Sequence, residues 1–315
     1  MGENQRVSRE AEREPKSHPL LIDVFIRLFR EKPLGTIGGA IVLILFLTAV
    51  FADVLAPYGY DEMLLSDRLQ PSSPQHLLGT DNLGQDILSR IIFGARISMY
   101  VGLGGATLEI IVAMLIGLIS GFFSGKTDLI IQRFVDAWMC FPPLFIYLTV
   151  MAVLGPGLIQ VILVLGISTG IRSSRVVRSA VIGIRENVYV EAARAIGAPN
   201  IRILTRHILP NVMAPVIIIF TLAMGQMILA EATLSFLGFG IPPPMPSWGG
   251  MLSGRGRSYM LQAPWMALWP GLALAIVVYG INMLGDAIRD LLDPRLRGGL
   301  GRYSGIKRKM PKPSI

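Results

Sequence analysis

Charge is what this chain has least of. Only 16% of its 315 residues are Asp, Glu, Lys or Arg, against 52% hydrophobic ones. Soluble domains carry about 25% charged residues, so the shortage excludes a water-facing globule. Cysteine is almost absent. Cys140 stands alone, which excludes an intrachain disulfide and a cysteine metal cluster. It falls inside an apolar run and reads as a small buried hydrophobe. The three histidines, His18, His76 and His207, are far apart in sequence, and their spacing proposes no metal site. No histidine lies in an apolar run, and Asp136 has no near-sequence acidic partner within one. An intramembrane enzyme therefore has no constellation to work with.

What the chain does have is long uncharged stretches. A membrane span needs about 20 largely apolar residues. Residues 33–52, 211–230 and 262–285 contain no charge, 97–125 contain only Glu109, and 137–171 contain none. The last stretch is too long for one crossing, and Gly155-Pro156-Gly157 divides it. The pattern predicts an all-α polytopic membrane protein with six transmembrane helices, at about 34–55, 98–122, 131–154, 158–178, 211–233 and 265–288. With both termini cytoplasmic, the inside segments hold 24 of the 29 Lys and Arg residues. Outside remain Arg68, Arg90, Arg96, Arg255 and Arg257. The positive-inside rule selects this orientation. The net charge of +8 is then topogenic, with lipid headgroups rather than nucleic acid as its counterpart. Arg172, Arg175 and Arg178 form a basic stripe that serves the same signal.

Taken in order, residues 1–33 form a cytoplasmic N-terminal tail, with helical spacing at 21–29. The first transmembrane helix, 34–56, reads as an uncleaved anchor because its apolar run exceeds that of a signal peptide. Gly35 and Gly39 offer a close-packing face, as do Gly117, Gly121 and Gly125. Segment 57–96 is extracytoplasmic. Within it, Asp81 or Asn82 is positioned to cap an amphipathic helix with Ile87, Leu88, Ile91 and Ile92 on one side. The run GFFSGKT at 121–127 fails as a phosphate loop: Ser120 stands where the first glycine belongs, and a membrane helix precedes it.

Three features inside the spans carry chemistry. Glu109 lies mid-span, where an acid faces the bundle interior or a watery path. Substrate, a partner subunit and a neighbouring helix are all open as its contact. Asp136 with Arg133 reads as an interfacial ion pair. Phe141-Pro142-Pro143 must bend its helix for want of two backbone donors; a gate and simple packing are equal readings of that bend. Pro210, at the start of the fifth span, is a further hinge candidate.

The remaining stretch organises the others. Residues 191–210 read EAARAIGAPNIRILTRHILP. Asn187 is an N-cap candidate, Glu191 suits the first turn, and Ala192, Ala193 and Ala195 favour helix. Gly197 stands at a left-handed stop and Pro199 forbids continuation. A short helix over about 188–196 is predicted, with a second from about 201 running into the membrane. A short helix between two spans can be a plain interfacial segment or a contact device.

The spacing Glu191-Ala192-Ala193, then Gly197, then Ile208-Leu209-Pro210, resembles the "EAA" loop of ABC-importer permeases. Four further runs resemble the dipeptide, oligopeptide and nickel branch of that family: HLLGTDNLGQDILSR (76–90), EATLSFLGFGIPPPMPSWG (231–249), APWMALWPGLAL (263–274) and LLDPRLRG (291–298). Together they cover most of the chain in the order of the second, "C-type" membrane subunit. The resemblance implies a type I importer fold, with a permease core at 97–291, a coupling loop at 187–210 and a basic tail at 292–315. It implies that Glu191, Ala192, Ala193, Arg194, Ala195, Gly197, Ala198 and Pro199 contact an ATPase. The implied partners are a second, different permease, two ATPase subunits that carry ATP and Mg, and an extracytoplasmic binding protein, in a bacterial inner membrane. Peptide is the expected cargo; nickel chelate, glutathione and oligosaccharide are the alternatives. An ion-coupled secondary transporter would want several intramembrane acids or inverted repeats, and the sequence offers neither.

Overall fold

The computed structural model describes Leu28 and residues 31–292, apart from the side chain of Arg255. The expectations for residues 1–20, for most of 21–29 and for the tail beyond 292 fall outside these residues. Among the described residues the chain is helical, with a single isolated bridge between Thr80 and Asp86. The helices are α1 (Pro33–Val50), α2 (Ala52–Leu55), α3 (Ile87–Phe123), α4 (Gly125–Met139), α5 (Pro143–Leu154), α6 (Leu158–Arg185), α7 (Val188–Ala195), α8 (Asn200–Ile203), α9 (Leu209–Phe236), α10 (Trp248–Leu252), α11 (Gly254–Ser258) and α12 (Trp265–Leu292). Five are long and apolar enough to cross a membrane, with α8 and α9 joined as one span over Asn200–Phe236. The pair α4 and α5, bent by 87° at its break, is the sixth when it is counted as one broken span.

That bend follows from Pro142 and Pro143, which cannot donate to a continuing helix. α4 stops at Met139 and α5 restarts at Pro143. Cys140 sits on the turn between them and is exposed, not buried as its apolar neighbours suggested. The bend turns it outward.

The expected surface helix before the second span is also corrected. α3 runs unbroken for 37 residues, about 55 Å at 1.5 Å per residue. Its cap is Asp86, whose Oδ2 accepts from the Ser89 amide at 2.8 Å. Asp81 is committed elsewhere: its Oδ1 accepts from the Leu83 and Gln85 amides at 2.7 and 3.0 Å. That side-chain turn holds 81–85 out of the helix.

The bundle closes on glycine. α3 and α6 approach so nearly that a Cβ on Gly117 would lie 2.7 Å from the Val177 Cβ and 2.8 Å from the Ser174 carbonyl oxygen. A Cβ on Gly121 would lie 2.8 Å from Val181, and from α6 one on Gly170 would lie 2.6 Å from Val112. The same device joins α1 to α12, where a Cβ on Gly38 would lie 2.5 Å from the Gly280 carbonyl oxygen and one on Gly35 2.2 Å from Ala287. Two glycines expected on these faces do other things. A Cβ on Gly39 would meet only Leu284, at 3.7 Å, and one on Gly125 would enter open space. Gly125, at φ +58, instead makes the turn from α3 into α4.

Gly117→Leu must therefore force α3 from α6, whereas Gly183→Leu enters open space. Overpacking costs about 1–3 kcal/mol or more where the backbone cannot yield. The expected outcome, read by thermal unfolding in detergent, is a clear loss of Tm or of folded yield for Gly117→Leu and a near-native transition for Gly183→Leu.

Candidate functional site

The 187–210 stretch folds at one end of the bundle. α7 spans Val188–Ala195, one residue short of the predicted helix. Asn187 holds the N-cap position with extended backbone, but its side chain does not cap α7. Nδ2 donates backwards, to the Gly183 and Ile184 carbonyls at 3.3 and 3.0 Å. α6 ends so close to the start of α7 that its orphan carbonyls take the amide first. At the far end, Gly197 adopts φ +80. Its N–H donates to Arg194 O at 2.9 Å, and the Ala198 N–H to Ala193 O at 3.0 Å. This pair of bonds is a left-handed helix stop that satisfies two carbonyls otherwise left open. Pro199 then leads into α8.

The chain returns to the bundle through a wide π-type turn over Leu204–Ile208. Pro210 follows directly within α9 and does not break the span. The widened turn absorbs the missing donor, and Asn211 Nδ2 donates to His207 O at 2.6 Å.

The two sides of α7 differ. Val190 and Ala193 are buried with Ile203, Ile208, Val212 and the α3–α6 residues Phe122, Val177 and Val181. Glu191, Ala192, Ala195, Gly197 and Pro199 are exposed, and Ala198 is half-buried. Arg194 is exposed too, yet it turns back so that its guanidinium lies 5.8 Å from the Phe122 ring centre. Val188 and Ile196, at 80% and 86% exposure, stand out from the helix ends. Such large apolar side chains at a helical tip mark a contact surface when they cluster.

Behind this tip two arginines of the α6 stripe, Arg175 and Arg178, are spent on ion pairs, while Arg172 Nη1 is buried without a hydrogen-bond partner among the described residues. Arg178 grips Asp128 of α4 with Nε and Nη2 at 2.6 and 2.5 Å, a bidentate geometry. Ser120 of α3 donates to the same carboxylate, and Gln132 Nε2 donates to Ser120 at 2.9 Å. Arg185 donates to the Gly121 and Phe122 carbonyls, each at 3.2 Å. Asp136 pairs most closely with Arg175; its expected partner Arg133 stands at 3.6 Å. The sequence-based pair was a local i,i+3 reading, and the stronger partner comes from a distant helix. These contacts also explain why α6 extends to Arg185, past the predicted end at 178.

Glu109 is separate from this network. It is 3% exposed on α3 and accepts from Ser173 Oγ of α6 at 2.6 Å. Its second oxygen is buried without a hydrogen-bond partner among the described residues. Of the open readings, the neighbouring helix is the contact present.

At the opposite end, the loops are tied by polar contacts that spacing did not reveal. His76 Nδ1 lies 3.0 Å from Asp86 Oδ1. Trp265 Nε1 donates to Thr80 O and Trp248 Nε1 to Ile91 O, each at 3.1 Å. Arg96 grips Asp53 with Nη1 and Nη2 at 3.2 and 2.7 Å. Glu231, 1% exposed, accepts from Ser235 at 2.6 Å, and the Ser235 oxygen accepts the Ile241 N–H at 3.2 Å. Glu231 was read only as part of a motif; an acid closing an otherwise uncharged run was the available signal.

Comparison with known proteins is consistent across the chain. Residues 113–298 match the model of the binding-protein-dependent transport system inner membrane component. Residues 21–71 match the N-terminal transmembrane domain of oligopeptide transport permease C. The chain is 41% identical over 275 residues to the dipeptide transport system permease protein DppC of Alkalihalophilus pseudofirmus, covering 87% of this chain and 90% of that one. It is 36% identical over 296 residues to the oligopeptide transport system permease protein OppC of Bacillus subtilis, covering 94% of both. A putative peptide transport system permease protein of Brucella suis is 42% identical over 259 residues, 81% of this chain and 87% of that one. A solved chain of the MetNI methionine ABC transporter, in inward-facing conformations, superposes with a TM-score of 0.53 over 65% of this chain and 96% of its own, at 17% identity. The fold is thus shared where the sequence has drifted. The broken third span, the helical tip at 188–195 and this breadth of similarity lead to one conclusion: the chain belongs to the binding-protein-dependent transport family, as a multi-pass membrane permease of an ABC importer.

Proposed function

We propose that this permease forms half of a translocation path for peptides and works by alternating access. The observation that carries the reading is α7: a short helix with a sharp stop, its underside buried against α3, α6 and α9 and its tips apolar and exposed. The peptide, dipeptide and oligopeptide transport names of its relatives support the cargo. A second, homologous permease completes the path, and two ATPase subunits, which hold ATP and Mg, receive α7. An extracytoplasmic binding protein meets the opposite end. The positive-inside rule, with 24 of the 29 Lys and Arg residues in the segments assigned to the inside by sequence, favours the α7 side, and both termini, as cytoplasmic in a bacterial inner membrane.

The residues suit a lever. Glu191, Ala192, Ala195, Gly197 and Pro199 face away from the bundle and meet the ATPase. Ala193, and Arg194 through its stacking on Phe122, hold the helix to the bundle, and Ala198 closes the stop. Closure of the ATPases displaces α7, and its buried underside carries α6 and α9 with it. The Arg178–Asp128 pair passes the motion to α4, and the Pro142-Pro143 break lets α4 and α5 move as separate rods. Pro210 sits where α9 leaves the π turn. Asp136 serves the α4–α6 contact, and Glu109 the α3–α6 contact.

Glu191→Lys, at the exposed face, and Gly197→Asp, at φ +80, are expected to lower peptide uptake at least tenfold and uncouple ATP hydrolysis from the binding protein. Membrane insertion should stay normal. Uptake at the wild-type rate in either variant refutes the lever. For the internal linkage, Asp128→Arg should depress uptake severely, and adding Arg178→Asp should restore a measurable part of it. No recovery in the double variant, in a complex that still assembles, removes the pair from the transmission path.

A further inference from the structure

The loops opposite α7 enclose a cavity of about 630 Å³. That lies within the range of about 300–1,000 Å³ found for small-ligand sites. One wall is the proline run 242–244, the other the segment 81–90 that leads into α3. Met63, Met245, Met251 and Met266 line the space between. Methionine is unbranched and polarisable, and it moulds to apolar partners of different shape. Surfaces that accept many partners use it for that reason.

The frame behind this soft lining is stiff. Trp248 is tied to Ile91 and Trp265 to Thr80, while Ser235 links Glu231 to the Ile241 amide. The charged groups on the wall are already engaged. Asp81 holds the Leu83 and Gln85 amides, and Arg90 donates to Gln85 Oε1 and Tyr60 O. One polar group has no such engagement: Asn82 Oδ1 is buried without a hydrogen-bond partner among the described residues. A buried acceptor left so is costly, and an N–H donor such as a peptide amide would satisfy it.

An adaptable apolar lining, spent charges and one waiting acceptor describe a neutral, apolar ligand that carries an N–H. We infer that this cavity is a subsite for a bulky apolar side chain of a peptide in transit, with Asn82 accepting a backbone amide beside it. The inference rests on the peptide reading above and names the part of the peptide recognised. The space is too small for a folded partner's face, which favours the cargo over a docking protein.

The test uses the importer complex purified with its own subunits, reconstituted in proteoliposomes and supplied with its binding protein. Met251→Trp fills the cavity; Asn82→Ala removes the acceptor. Uptake of trialanine and of trileucine is measured side by side. The wild type should carry both. Met251→Trp should keep trialanine within twofold and lose trileucine about tenfold, and Asn82→Ala should lower trileucine at least threefold more than trialanine. A second measurement does not depend on the variants. A tripeptide of leucine, benzoylphenylalanine and leucine is photolysed in the wild-type complex, where it should label Met63, Met245 or Met251, with excess trileucine suppressing the label. Labelling confined to other segments overturns the inference, as does an unchanged trileucine-to-trialanine ratio in both variants. Weakened docking of the binding protein, with both peptides falling together, assigns the cavity to a loop of that partner and overturns it too. A wild-type complex that carries neither peptide removes the peptide reading itself, and this inference with it.

Discussion

The structure depends on how nearly α3 and α6 can approach. Between membrane helices there is no gain from leaving water, so close packing and internal polar contacts must hold the bundle. Gly117, Gly121, Gly166 and Gly170 let two long helices meet backbone to side chain along their length. Everything functional hangs from this seam. α6 ends in α7, α3 ends in the turn to α4, and the same interface buries Glu109 against Ser173. A seam this tight behaves as one body, which is what the lever proposed for α7 requires.

Around that rigid pair the chain places its irregular backbone. The third span is broken, a wide turn precedes α9, and a proline-rich loop caps the opposite end. Non-helical backbone at membrane depth is tolerated only against protein or a watery cavity. The break at Pro142-Pro143 thus calls for cover by protein or for a watery cavity beside it. The arginines of α6 bridge the rigid and the broken parts. Arg175 and Arg178 hold α4 through Asp136 and Asp128, so a charge pattern that orients the protein also joins its pieces.

The two ends of the bundle solve different problems. At the α7 end, apolar tips stand exposed on a helix whose underside is locked. At the other, a lattice of hydrogen bonds from His76, Trp248 and Trp265 fixes loops that composition alone would leave free. One end offers a convex knob and the other a walled hollow.

Much of this was determined by sequence alone. Uncharged runs located the spans, because lipid tolerates little else. Gly197 and Pro199 located the stop of α7, because only a left-handed residue and a missing donor end a helix so sharply. What tertiary structure decided was where polar side chains spend their hydrogen bonds. Asn187 caps the helix behind it, Asp81 builds a turn and leaves the cap of α3 to Asp86, and Asp136 finds Arg175 before its neighbour Arg133. Which glycines pack was legible only in part: Gly35, Gly117 and Gly121 do, but Gly38 and not Gly39 faces Gly280. Helical and hydrophobic preferences are written into adjacent residues. The partner of a charge, and the face of a helix that meets another, depend on residues brought near only when the bundle closes.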